Sequence, residues 1–377
     1  MSQLINICHL TSVHNRYDIR IFFKQCLSIS NSKNFNAFLV VGDGKKNEIK
    51  DKIKIFDVGK SNNRFDRIFQ TTKRIYLEAI RLDCDIYHIH DPELIPVGLK
   101  LKKKGKKVIF DSHEDIAEDI LTKSWIPNFL RTLISISLSF YIKYTFRKFD
   151  FIITATPFIR DKYSKINSKT VDINNYPILN EFSNIKDWKF RNNNAVYLGV
   201  IAPGRGIFEI LDAYDDSEKF SFIIAGNFEN DKIKNKLRLE RNWHKIDYRG
   251  FVNRKEIITI LNNSKVGFQI IKSFNSYQNA IPIKMLEYMA AGIPVICSNV
   301  NILNQIIKEN KCGISLKKNN KNEILKSLQF LFENPQIAEQ MGKNGRKKIL
   351  NDWNWEQEAS KLLDLYENIN YEKHYNY

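Results

Sequence analysis

The stretch 279–296, NAIPIKMLEYMAAGIPVI, places a proline, a lysine and a glutamate at the start of a short helical pattern that a glycine ends. An apolar β-branched run follows. Pro282 suits the first turn of a helix, where its missing N–H would be unpaired anyway. The free N–H groups at that end, with the helix dipole, favour an anion. Arg205 stands between two glycines in IAPGRGI, ahead of another helical pattern. A guanidinium there can grip a phosphate with two parallel hydrogen bonds. Glu287, about one turn into its helix, can accept both hydroxyls of a ribose, or it is a surface acid that favours the dipole. Spacing alone admits both. A diphosphate at the helix start and a ribose one turn deeper describe a nucleoside diphosphate.

Groups like these need a frame. Apolar runs at 5–10, 38–41, 53–58, 85–90, 107–112 and 151–156 alternate with amphipathic segments, the rhythm of a parallel sheet. Their unbroken apolar character predicts strands covered on both faces. The rhythm restarts at 195–200 and continues through 220–226, 246–251, 265–271, 293–298 and 312–316. The fold expected is α/β with two doubly wound Rossmann-like domains, 1–185 and 190–355. WKFRNNN (188–194) reads as a linker, and a last helix within 356–377 is expected to pack back on the first domain. Ligands in such folds bind at the carboxyl ends of strands. Four loops of the second domain qualify. They are IAPGRGI, the turn at Gly226, Phe251-Val252-Asn253, and KSFNSYQNAIP, which leads into Pro282.

The 377 residues carry 59 Lys and Arg against 42 Asp and Glu, a net charge of +17, which calls for an anionic partner or reflects compositional drift. The five scattered cysteines form no CxxC or zinc spacing and read as reduced thiols of a cytosolic protein. MSQLINICHLTS lacks the features of a signal peptide, and no uncharged apolar run approaches the ~18 residues of a membrane span. Residues 125–148, WIPNFLRTLISISLSFYIKYTFRK, carry four basic residues and apolar side chains on more than one helical face. We expect a helix buried beside the sheet; the alternative is an interfacial helix on anionic lipid.

The stretch NAIPIKMLEYMAAGIPVI resembles the donor-site signature of family 4 retaining glycosyltransferases, which have the GT-B fold, two Rossmann-like domains facing a central cleft. HLTSVHNRYDIRIFFK (9–24) and DIYHIHDPELIPVGLKLKKKGKKVIFDSHED (85–115) resemble the first domain of a capsule and lipopolysaccharide branch of that family. YLGVIAPGRGIFEILDAY (197–214) and YRGFVNRKEIITILNNSKVGF (248–268) are similar to its donor domain. The resemblance implies a transfer of sugar from a nucleoside-diphosphate sugar to a saccharide or lipid-linked saccharide acceptor in surface polysaccharide synthesis. It implies no cofactor and no metal, on the cytoplasmic face of the membrane. By position, Arg205 is implied as the donor-phosphate base and Glu287 as the ribose acceptor. Val252 would meet the base through its backbone, and His113 the transferring sugar. Asp18 and Arg20 would lie in a loop facing the diphosphate. Two positions depart from the pattern. Asn279 replaces a glutamate that contacts the donor sugar, and Val200 replaces a second basic residue, for which Lys284 could compensate; the alternative is that Lys284 is a surface lysine.

His88, His90 and Asp91 in HIHD share a strand face, but they read as structure or acceptor-side lining rather than a metal site. Asp83-Cys84-Asp85 imitates a metal-binding Asp-x-Asp at a helix-to-strand junction and is read as a decoy. No basic–aromatic pattern marks a specific nucleic-acid module. The competing readings are an epimerase on the same fold and a non-catalytic nucleotide-sugar-binding relative, which Asn279 and Val200 favour.

Overall fold

The computed structural model describes residues 4–123, 126–214, 220–272 and 281–374. The chain divides into two compact units, Met1–Asn175 with Trp355–Tyr377, and Tyr176–Asn354.

In the first unit the strands are β1 (Ile5–Leu10), β2 (Phe35–Val41), β3 (Glu48–Lys50), β4 (Ile53–Asp57), β5 (Ile86–Ile89), β6 (Lys107–Ser112), β7 (Phe151–Thr154) and β8 (Thr170–Asp172). They form one sheet in the order β3-β4-β2-β1-β5-β6-β7-β8. All pairs are parallel except β3 with β4. The apolar runs become strands because helices cover both faces; Ile7, Cys8 and Leu10 are fully buried. β3 and β8 give no sequence signal, being three-residue edge strands with a single apolar residue each. The chain leaves β1 for β2 on one side and later returns to β5 on the other, which makes β1/β5 the switch point where ligands bind.

The second unit has β9 (Asn194–Leu198), β10 (Ser221–Ala225), β11 (Asp247–Gly250), β12 (Val266–Gln269), β13 (Val295–Cys297) and β14 (Gly313–Ser315), all parallel in the order β11-β10-β9-β12-β13-β14. Its switch point lies between β9 and β12.

The stretch 188–194 is not a linker. Trp188 joins the core and Arg191 is buried, its Nε donating to the Lys186 carbonyl at 2.9 Å. The second unit begins at Tyr176, whose ring stacks on Trp353 at 6.0 Å. Polar composition concealed this packing. The helix Trp355–His374 belongs to the first unit: Trp355 Nε1 donates to Ser28 Oγ at 3.0 Å, and Glu358 accepts from the Asn174 N–H at 2.7 Å.

The expected burial of 125–148 does not hold. In the helix Asn128–Phe146 only Ile142, Thr145 and Phe146 are buried, near its last turn. Phe129, Leu133, Ile136, Phe140 and Tyr144 are exposed. Among the described residues, no helix is long and apolar enough to cross a membrane. All five cysteines are free and buried.

Candidate functional site

At the second unit's switch point, Arg205 ends the short turn Pro203–Arg205 that follows β9. Gly206 turns the chain with φ +70° into the helix Ile207–Asp212. On the β12 side, the helix Ile283–Ala290 starts directly after Pro282. Pro282 is the residue before the helix, in extended conformation, and not in its first turn. Its carbonyl accepts from the Met285 N–H at 3.0 Å.

Lys284 is not a surface lysine. Its ammonium nitrogen is buried and has no hydrogen-bond partner among the described residues. It lies 4.1 Å from the centre of the Tyr197 ring, a cation–π contact. Burial, and then the nearby charge of Arg205, pull its pKa down to about 7. The field of two close cations with one of them unpaired is that of an anion site.

Glu287 is a buried side chain, 8% exposed. Its Oε1 accepts from Arg254 Nη1, while Arg254 holds Glu181 with two further bonds of 2.9 and 2.6 Å. Burial alone would lower the Arg254 pKa; the two carboxylates raise it and keep the guanidinium charged. One carboxylate oxygen of Glu287 is thus anchored and its plane fixed. Val252 packs partly buried between exposed Phe251 and Asn253, which caps the helix Arg254–Asn262. Gly226, at φ +146°, is demanded by closeness: a Cβ there would come 1.9 Å from the Gly199 carbonyl oxygen. It lets the loops after β9 and β10 touch. Asn279 lies outside the described residues.

In the first unit, polar side chains gather at the β1/β5 switch point. His9 on β1 is in register with His88 on β5, and Asp111 lies on β6. His90 and His113 follow β5 and β6. Asp111 is fully buried and accepts from Arg20 Nε (3.0 Å), Arg20 Nη2 (2.8 Å) and Gln25 Nε2 (2.7 Å). Burial alone would raise its pKa, but Arg20 holds it well below the usual carboxylate range.

Arg20 is therefore not a loop residue facing a diphosphate. It sits in the helix Ile19–Cys26, and its remaining Nη1 donates to the Ile173 carbonyl at 2.9 Å. Asp18 caps that helix, its Oδ1 accepting from the Arg20 and Ile21 N–H groups at 2.8 and 2.9 Å, with Oδ2 3.2 Å from His14 Nδ1. A helix starting at Ile19, nine residues after the end of β1, consumes both side chains in structure. His113 is partly exposed, with its Nε2 3.2 Å from His90 Nδ1. Burial lowers its pKa to about 4. Asp91 takes the Thr11 hydroxyl at 2.8 Å and the Ser12 N–H at 2.7 Å. Asp83 caps a helix and pairs with Lys106, and Asp85 accepts from the Asn6 N–H, at the opposite end of β5 from these groups.

Sequence reading missed Asp111, His9, Tyr366, Arg254 and Glu181. An aspartate inside the apolar strand KVIFDS was the one available signal; Arg254 and Glu181 are ordinary surface types until folding brings them to Glu287.

Residues 180–348 match the family model described as Glycosyl transferases group 1. An uncharacterised glycosyltransferase of Methanocaldococcus jannaschii is 23% identical over 236 residues, 62% of this chain and 64% of that protein. The UDP-Gal:alpha-D-GlcNAc-diphosphoundecaprenol alpha-1,3-galactosyltransferase of Escherichia coli is 30% identical over 91 residues, 24% of this chain and 23% of that protein. The structure of Anabaena HepE in complex with UDP-glucose superposes with a TM-score of 0.72 at 12% identity, covering 97% of this chain and 100% of that one. The fold is thus GT-B, with two Rossmann-like sheets, and the part of the second unit at 180–348 is similar to group 1 glycosyl transferases. These matches support a transferase of glycosyl groups.

Proposed function

We propose that the protein is a retaining glycosyltransferase that moves a sugar from a nucleoside-diphosphate sugar to a saccharide or lipid-linked saccharide in surface polysaccharide synthesis. The observation that carries this reading is the buried ammonium of Lys284 beside Arg205 at the start of the helix Ile283–Ala290. A donor diphosphate supplies the missing counter-charge. Lys284 thereby takes the role of the basic residue absent at Val200. Glu287, with one oxygen held by Arg254, offers the other to the ribose hydroxyls, the backbone at Val252 meets the base, and His113 contacts the sugar.

In the step itself the bond from the sugar's anomeric carbon to the diphosphate oxygen breaks. The acceptor hydroxyl forms its bond on the same face, and its proton passes to the departing phosphate. Arg205, Lys284 and the helix N–H groups stabilise the growing charge, at about 3–4 kcal/mol for each donor removed. The reading assigns that neutralisation to side chains rather than to a bound metal.

The exposed stripe Phe129, Leu133, Ile136, Phe140 and Tyr144 favours an acceptor held at a membrane. Its helix contains Arg131 and Lys143 and no acidic residue, and Arg147 and Lys148 follow it. Apolar contact and attraction to anionic headgroups together describe a peripheral helix on the inner face of the cell membrane. Phe129→Asp with Phe140→Asp is expected to abolish sedimentation with anionic liposomes at low salt; a wild type that does not sediment refutes the attachment.

The donor reading is tested with a panel of UDP-, GDP-, ADP- and CMP-sugars, measuring binding and acceptor-independent hydrolysis. One sugar nucleotide bound and slowly hydrolysed, with Arg205→Ala and Glu287→Ala impaired, is the expected result. Binding without turnover, even with membrane extract as acceptor source, would instead indicate a non-catalytic binder.

A further inference from the structure

We propose that a chain of hydrogen bonds running from His88 through Tyr366, His9 and His90, polarised by the charge of Asp111 beside it, holds His113 as its Nε2–H tautomer, so that Nδ1 is presented to the substrate as an acceptor. The substrate-facing role of His113 rests on the function proposed above; the tautomer does not.

The hydrogen bonds are continuous from His113 to His88. His113 Nε2 lies 3.2 Å from His90 Nδ1, and His90 Nε2 lies 2.9 Å from His9 Nδ1. His9 Nε2 lies 3.2 Å from the Tyr366 hydroxyl, which lies 2.7 Å from His88 Nδ1. His88 Nε2, buried and without a closer partner among the described residues, faces Asp111 Oδ2 at 3.5 Å. Burial lowers the pKa of all four imidazoles, so each carries one N–H. Burial likewise keeps the Tyr366 hydroxyl protonated.

A chain of neutral groups with one proton each has two polarities, and fixing one member fixes the rest. Asp111 decides between them. If the N–H groups point from His113 toward Asp111, the carboxylate meets the N–H of His88 at 3.5 Å and of His113 at 3.8 Å, and one lone pair, on His90, at 3.6 Å. The reversed chain sets two lone pairs and one N–H against the same ionised oxygen. The first arrangement is electrostatically favoured. It leaves Nδ1 of His113, the most exposed of the four rings, as the nitrogen that accepts a hydrogen bond from a sugar hydroxyl.

His90, Asp111 and His113 are also close enough to share a metal ion. The Asp111 oxygens, however, already accept three bonds from Arg20 and Gln25, and the guanidinium supplies the counter-charge.

The test is NMR of the full chain with ¹⁵N-labelled histidine, reading the protonation of each ring nitrogen near neutral pH. His113 is expected as the Nε2–H form. Tyr366→Phe, which keeps the ring and removes the link, is expected to give a mixture of tautomers at His113 with the fold retained. An Nδ1–H form in the wild type overturns the proposal. So does a tautomer unchanged in Tyr366→Phe, or metal-shifted ring signals with stoichiometric zinc. Should Tyr366→Phe not fold, the wild-type spectrum alone decides. Neither donor nor acceptor is present, so failure of the transferase reading leaves this result standing, and the converse also holds.

Discussion

Both units bury a cation near the carboxyl ends of their central strands, but they treat it differently. Arg20 in the first unit has a fully buried carboxylate across two hydrogen bonds and a backbone carbonyl for its remaining nitrogen. Lys284 in the second has an aromatic face and a neighbouring arginine. A buried charge that is paired by the protein belongs to the fold; one that the described residues leave unpaired is costly and points to a ligand that completes it.

The difference is broken most strongly at Arg20. Arg20→Leu leaves Asp111 charged and uncompensated, and is expected to cost about 3–5 kcal/mol in denaturant unfolding. Lys284→Met is expected to do the reverse, leaving stability unchanged or raised while weakening nucleoside-diphosphate binding. Charged hydrogen bonds of roughly 1.5–3 kcal/mol correspond to an affinity loss of about tenfold to a hundredfold by calorimetry. A Lys284→Met protein that loses stability and keeps its affinity would erase the contrast.

The pH dependence sharpens it further. Lys284 titrates near 7 when folded, against 10.5 for its ordinary value. The unfolded chain therefore binds the extra proton across that window, and wild-type stability is expected to rise with pH there relative to Lys284→Met. Diphosphate affinity moves oppositely, falling as pH rises through 7, and Lys284→Arg is expected to flatten that slope. The smallest effect is expected from Glu181→Gln. This partner of Arg254 is 25% exposed and an amide keeps one of its two hydrogen bonds, so the cost is expected to be about 1 kcal/mol, and Glu287 retains its own contact.

Most of the frame was legible because strands buried on both faces leave unbroken apolar runs, as at 5–10 and 107–112. The edge strands at 48–50 and 170–172 were not, since three residues with one apolar side chain carry no period. Arg205 was legible because a local motif places it after β9, whereas Lys284 was left open between a compensating cation and a surface lysine, because its burial against Tyr197 exists only in the fold. Arg20 was misread because its partner Asp111 is 91 positions away, and nothing local distinguishes a loop arginine from a buried one. The helix Asn128–Phe146 was misread because an apolar sequence reports affinity for an apolar medium without saying whether that medium is protein or lipid.

The first unit is discontinuous, and this shapes its biosynthesis. Tyr366 is 357 positions downstream of His9. Folding during synthesis proceeds from the N-terminus. The nascent first unit therefore leaves the ribosome with His9 and His88 lacking their shared hydroxyl, and acquires it only after the second unit has been made. A chain released early, short of its last helix, carries every strand of both sheets but not the link that joins those two histidines.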